Sequence, residues 1–264
     1  MRWEQLTESL SYTNIDEIPE KYKTIIDDYI ASGNYIYRGM KGTSPYIIGN
    51  GSTGERKSKN TYNFYTTLID NFLPQWKPYP KRSKSFICTT DSTVAFGYGR
   101  LYVVIPLDLQ PIGICPAEDF WFGFKSINEI GLRSLNMFNQ VLQELLRNTI
   151  DQYLPENPKT VSSVMDMLET YVKNTSQEEF DALNRDHWYD IKQVNDMFAY
   201  FKKHGVWKGL TYLFDPDING FEVTTNIDTA HFGKNEVWLS DRVLFIHNDK
   251  FQDLMNNKYS KKDT

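Results

Sequence analysis

Two kinds of hydrophobic patterning succeed one another along this chain, and their order constrains the fold more than any other feature. Ser85-Phe-Ile-Cys-Thr-Thr90 and Leu101-Tyr-Val-Val-Ile-Pro106 are β-rich runs bounded by turn residues, so each reads as a strand. From about 127 to 203 the apolar residues recur at helical spacing, with Ile130, Leu135, Phe138, Leu142, Leu145 and Leu146 on one face. Asp215-Pro-Asp-Ile-Asn-Gly220 then predicts a turn, after which Phe221–Thr225, Glu236–Leu239 and Arg242–Ile246 return to strand. Strands, then helices, then strands predict an α+β fold: an antiparallel domain with a helical insertion at about 127–203.

The first part of the chain fits this scheme. Residues 19–31 predict a helix, with Pro19 suited to its first turn, Gly33 just past its end, and Tyr22, Ile25, Ile26, Tyr29 and Ile30 at helical spacing. Asn34-Tyr-Ile-Tyr-Arg-Gly39 reads as a short strand, 41–59 as a polar loop, and 60–73 as a helix. The end, 258–264, reads as a frayed tail.

With 264 residues, 40% of them hydrophobic, the chain can bury the core of one large domain over 1–264. A net charge of -5 argues against a non-specific nucleic-acid binder, although Lys77-Pro-Tyr-Pro-Lys81-Arg82-Ser-Lys84 forms a local basic run. Cys88 and Cys115 offer no disulfide framework and read as buried thiols of a reducing compartment. The first residues lack a signal-peptide pattern, and no stretch approaches ~18 apolar residues, so a cytoplasmic location is expected.

Several motifs fail on their context. Gly49-Asn-Gly51-Ser-Thr-Gly54 matches the dinucleotide fingerprint G-x-G-x-x-G, but that motif needs a strand before it and a helix after it. Tyr46-Ile-Ile48 reads as a poor strand, and the residues after Gly54 are polar. His187, His204, His231 and His247 show no metal-ligand spacing, and no G-x-S-x-G elbow is present.

Three strand-associated elements survive. Tyr37-Arg38-Gly39 closes a strand with an arginine whose planar fork can grip phosphate. Phe86-Ile-Cys88-Thr89-Thr90 ends a strand in hydroxyl residues able to hold a carboxylate or a ribose, and Ala95-Phe96-Gly-Tyr98-Gly99 comes next. Lys234-Asn235-Glu236-Val-Trp-Leu239 begins an otherwise apolar strand with a glutamate, and a carboxylate in such a place must be paired or functional.

In this order the three elements resemble the ADP-ribosyltransferases of the arginine–serine–glutamate type. The family pattern is an aromatic-Arg-Gly strand, a Phe-x-Ser-Thr-Ser strand, and a catalytic glutamate opening a later strand. The matched stretches cover roughly thirty of the 264 residues. The resemblance implies an antiparallel split-sheet core and a mono-ADP-ribosyltransferase that uses NAD⁺ as substrate, without a metal. Its acceptor would be a macromolecule, a protein before a nucleic acid, in the setting of a toxin or a phage effector within a host cytoplasm.

By the same resemblance Glu236 would stabilise the cation that develops as the nicotinamide bond breaks. Arg38 would hold the pyrophosphate or the nicotinamide-side ribose, and Thr89 or Thr90, with Ser85, would orient Glu236. Phe96 or Tyr98, or else Tyr102, would stack on the nicotinamide, and His231, Phe232 and Lys234 would contact the acceptor. Two departures stand out. Cys88 replaces the first serine and is a weaker hydrogen-bonding group. Lys234 stands where arginine-modifying members carry a second glutamate, which argues against arginine as acceptor. Transfer to a nucleic-acid base, plain NAD⁺ hydrolysis, and a non-enzymatic interaction or structural role are the alternatives.

Overall fold

A computed structural model describes residues 9–57, 62–183, 191–226 and 233–260. The expected acceptor contacts His231 and Phe232, together with His187, lie outside these residues. Along the described chain run β1 (Ser9–Tyr12), α1 (Lys23–Ser32), β2 (Ile36–Met40), β3 (Tyr46–Asn50), α2 (Asn63–Asn71), β4 (Phe86–Thr89), α3 (Ser92–Phe96), β5 (Arg100–Pro106) and β6 (Ile112–Ile114). The helices α4 (Leu135–Ile150), α5 (Pro158–Asn174), α6 (Gln177–Leu183), α7 (Ile191–His204), α8 (Val206–Leu213) and α9 (Pro216–Asn219) come next. The chain closes with β7 (Glu222–Thr224), β8 (Glu236–Leu239), β9 (Arg242–His247) and α10 (Asn248–Ser260). No helix among the described residues is long and apolar enough to cross a membrane.

The chain forms two compact units. One comprises Met1–Arg56, Pro78–Asp119 and Glu222–Thr264, and the other Lys57–Lys77 and Phe120–Phe221. Among the described residues the first holds an antiparallel sheet of nine strands in the order β1-β3-β9-β5-β2-β4-β8-β6-β7. Alternation along the strands gives the sheet two apolar faces. On one, Val103, Ile105, Leu244 and Ile246 meet Ile26, Tyr29 and Ile30 of α1 and Phe251 of α10. On the other, Ile36, Met40, Phe86, Cys88, Val104, Val237 and Phe245 form a separate cluster. The helix α1 presents its apolar side to the first face and ends where Gly33 turns left-handed at φ 75°.

The second unit is helical and aromatic. Tyr65, Phe138, Phe214, Phe124 and Trp76 are buried in it, and the Tyr65 hydroxyl donates to Asn139 Oδ1 at 3.2 Å. Trp76 Nε1 donates to the Phe214 carbonyl at 2.7 Å, and Phe120, Phe124 and Phe221 ring the indole. Ser134 caps α4 by accepting from Met137 N, and Asn157 caps α5 by accepting from Lys159 N and Thr160 N.

Several expectations need correction. Within the expected loop at 41–59 lies β3, paired with both β1 and β9, because Tyr46, Ile47 and Ile48 are all buried. A strand therefore does feed the glycines of the dinucleotide fingerprint. A single 3-10 turn, Gly51–Thr53, comes after it in place of the helix that would receive a pyrophosphate. The turn at Asp215–Gly220 contains the short helix α9, with Asp215 capping its start and Gly220 its end. The helical stretch continues past 203 into α8, and the expected tail begins inside α10, which runs to Ser260.

Candidate functional site

The sheet is continuous but unevenly joined. Between β2 and β5 five residue pairs are in register, whereas β2 and β4 share only Tyr37 opposite Thr89. That single pair is a seam between β1-β3-β9-β5-β2 and β4-β8-β6-β7. On β4 the Thr90 N–H donates to the Asn235 carbonyl at 3.0 Å, so alternate residues of β4 bond β8 and the others turn toward β2. Ile87 is one of those turned toward β2, past the end of the ladder. Its carbonyl accepts from Arg38 Nη1, so the guanidinium does what a neighbouring strand would otherwise do.

Register also sorts the candidate residues by face. Arg38 stands opposite Tyr102 and, with its guanidinium 5.7 Å from the Phe86 ring centroid, lies on the same face as Ile36, Phe86 and Cys88. It is almost fully buried. Thr89 is paired with Tyr37 on one side and with Glu236 on the other, so these three share the opposite face. Thus Arg38 and Cys88 come together on one side of the seam, Thr89 and Glu236 on the other. Burial pushes the Cys88 thiol up to about 11, while the adjacent Arg38 pulls it back down.

Glu236 is held from several directions. Its N–H donates to the Ala117 carbonyl at 2.9 Å and its own carbonyl accepts from Cys115 N at 2.8 Å, which fixes the start of β8. Its carboxylate is met by an arginine from the basic run at Lys77–Lys84. Arg82 Nη1 donates to Glu236 Oε1 at 2.6 Å, and the two side chains are 1% and 12% exposed. The Arg82 guanidinium lies 5.2 Å over the Trp238 ring, a cation–π contact. That indole is itself fixed: Trp238 Nε1 donates to the Pro80 carbonyl at 2.8 Å, and Tyr79 stacks on it at 6.0 Å between centroids. Opposite, a Cβ on Gly113 would fall 2.2 Å from the indole, so only glycine leaves room for the ring there.

The expected orienting hydroxyls bond backbone groups. Thr89 Oγ1 accepts from Asp91 N at 3.1 Å, and Ser85 Oγ donates to the Lys81 carbonyl at 2.7 Å. Thr90 Oγ1 donates to the Gly233 carbonyl and accepts from Asn235 N at 3.0 Å, tying down the approach to β8. Lys234, largely exposed, reaches Asp91 at 3.5 Å. The same aspartate caps α3 by accepting from Thr93 N and Val94 N, which holds its carboxyl below the usual range.

Of the stacking candidates, Tyr102 is excluded: it is fully buried, and its hydroxyl donates to the Ser44 carbonyl at 3.0 Å. Phe96 and Tyr98 are 70% and 69% exposed on α3 and the turn after it. That segment lies against β2 because Gly39 has no side chain; a Cβ there would fall 1.9 Å from the Ala95 carbonyl oxygen. The Tyr37-Arg38-Gly39 element and the Phe96–Tyr98 element are thus structurally joined.

No known protein family, characterised protein or solved structure matches this chain. The reading of the site therefore rests on its geometry and on the ordered motifs. Arg82 was missed because it sits in a run of cations that resembles a solvated face. A signal was present in Tyr79 and Pro80, which interrupt the run with an aromatic and a rigid residue.

Proposed function

We propose that this chain cleaves the nicotinamide bond of NAD⁺ and transfers ADP-ribose to a macromolecular acceptor, a protein before a nucleic acid. The observation that carries the reading is Glu236: a carboxylate 12% exposed on β8, opposite Thr89, which stands at the sparsely paired β2–β4 junction of the sheet. Breaking the bond between nicotinamide and ribose leaves positive charge on the ribose carbon, as in glycoside hydrolysis. A fixed carboxylate beside that carbon lowers the barrier by stabilising the charge only as it develops. Glu236 does this and accepts a hydrogen bond from the ribose 2′-hydroxyl. The acceptor nucleophile then bonds to the carbon, nicotinamide departs with the bonding electrons, and the acceptor's proton passes to solvent.

Arg38 gives Nη1 to the Ile87 carbonyl but keeps its charge, and that charge suits it to the pyrophosphate. Because it lies on the other face from Glu236, the dinucleotide would cross the seam beyond the Tyr37–Thr89 pair. Phe96 and Tyr98 offer exposed rings for the nicotinamide, next to the strand that carries Arg38. Lys234, paired with Asp91, is a cation where an arginine acceptor would meet repulsion. Exposed Lys81, neighbouring the partner of Glu236, favours as second reading a polyanionic acceptor such as a nucleic acid.

The test is incubation with labelled NAD⁺ and a cell extract, tracking nicotinamide release and the fate of the label. Label in protein is the expected outcome; label in nucleic acid would move the acceptor to the second reading. Glu236→Gln should slow nicotinamide release by about a hundredfold or more while the circular dichroism spectrum stays unchanged. A fully active Glu236→Gln protein would overturn the assignment.

A further inference from the structure

The resemblance assigns the orientation of the catalytic glutamate to hydroxyl side chains on the second strand, and here those side chains are used otherwise. Cys88 faces away from Glu236, Thr89 and Thr90 bond backbone near Asp91 and Asn235, and Ser85 bonds Lys81. Arg82 does reach the carboxylate, with Nη1 at 2.6 Å from Oε1. We propose that Arg82 is the positioning residue of this site, replacing the hydroxyl that Cys88 does not supply. This rests on the reading of Glu236 as the group that stabilises the ribosyl cation.

Two features make Arg82 suited to that role. It is 1% exposed, so its charge is not diluted by solvent, and a carboxylate held by a desolvated guanidinium keeps one orientation. It is also immobilised from beneath, because its guanidinium lies on Trp238, and Trp238 is fixed by Tyr79, by the Pro80 carbonyl and by the space above Gly113. The ion pair is made at Oε1, by a side chain that is itself 1% exposed. Arg82 therefore sets the carboxylate without contacting substrate.

The experiment compares wild type with Arg82→Met and Arg82→Lys, measuring nicotinamide release at a series of NAD⁺ concentrations and urea unfolding of each protein. Arg82→Met, similar in length but uncharged, should lower kcat by roughly ten- to hundredfold with KM for NAD⁺ within about twofold, because positioning acts in the transition state. Arg82→Lys keeps the charge without the fork and should recover part of that loss. If Arg82→Met does not fold, Arg82→Lys alone decides, with kcat expected roughly tenfold below wild type at near-unchanged KM. Wild-type kcat in the variants would overturn the positioning role. So would a loss shared equally by kcat and KM, or a loss of stability alone, since either is what a merely structural arginine gives. A wild type that releases no nicotinamide would instead sink the reading of Glu236 itself, and these outcomes are separable in one data set.

Discussion

At the scale of single residues, the two thiols give the clearest consequence of burial. Burial pushes Cys88 up to about 11 and Cys115 up to about 12, so both hold their protons in the folded state where the unfolded chain would release them. A folded pKa above the unfolded one adds stability that is complete below about pH 8.5 and is lost as the pH rises toward the folded values. The urea midpoint should therefore fall between about pH 8.5 and 10, and Cys88→Ala should make that fall shallower. An unchanged slope in Cys88→Ala would show that the thiol is not buried as described. Residue identity was only partly legible beforehand. That Glu236 must be paired or functional followed from a carboxylate opening an apolar strand, but the identity of a partner did not. Arg82 lies 154 positions away, and neither periodicity nor spacing links residues whose meeting depends on strand order. Exposure was equally hidden at Tyr102, whose burial comes from neighbours on β2 and β9.

At the scale of elements, Gly39 decides how β2 and α3 meet. Its missing side chain lets the Ala95 carbonyl and the Tyr98 Cβ approach the strand, at 1.9 and 2.9 Å from where a Cβ would stand. One of these neighbours is backbone, so Gly39→Ala cannot be absorbed by a rotamer change, and α3 must move away. The expected cost is about 1–3 kcal/mol or more in urea unfolding, with KM for NAD⁺ raised because Phe96 and Tyr98 move with the helix. A Gly39→Ala protein of parental stability and KM would show that the two elements are not coupled. The strands with strong alternation or β-branched runs, β4, β5, β8 and β9, could be read from the sequence. The strand β3 could not, since Tyr46–Asn50 ends in Gly-Asn and its pairing with β9 is made nearly two hundred positions later (Tyr46 with Ile246). Three-residue β6 is likewise defined by its pairing with β7 and β8 rather than by its own composition.

At the scale of the whole chain, every described candidate residue falls in the unit that contains the sheet, while the second unit has an aromatic core of its own. The helical pattern between 127 and 203 was legible as an insertion, although within one domain rather than around a second core. The recruitment of Lys57–Lys77 to it was not, because α2 contributes through Tyr65, whose partners Asn139 and Phe214 are remote in sequence. Phe138, fully buried and in edge contact with Tyr65 and Phe214, tests the separateness of the two cores. Phe138→Ala removes a ring the surroundings cannot refill and should cost about 3–5 kcal/mol locally. In hydrogen exchange, the amides of α4, α5 and α8 should lose protection first, while those of β5 and β9 retain theirs, because local openings track the core that has been weakened. Nicotinamide release by the same variant, measured below its unfolding transition, should stay within about twofold of wild type. Equal loss of protection in helices and sheet would mean that the two cores open together. The catalytic reading of Glu236 would then have to include the helices as part of its support.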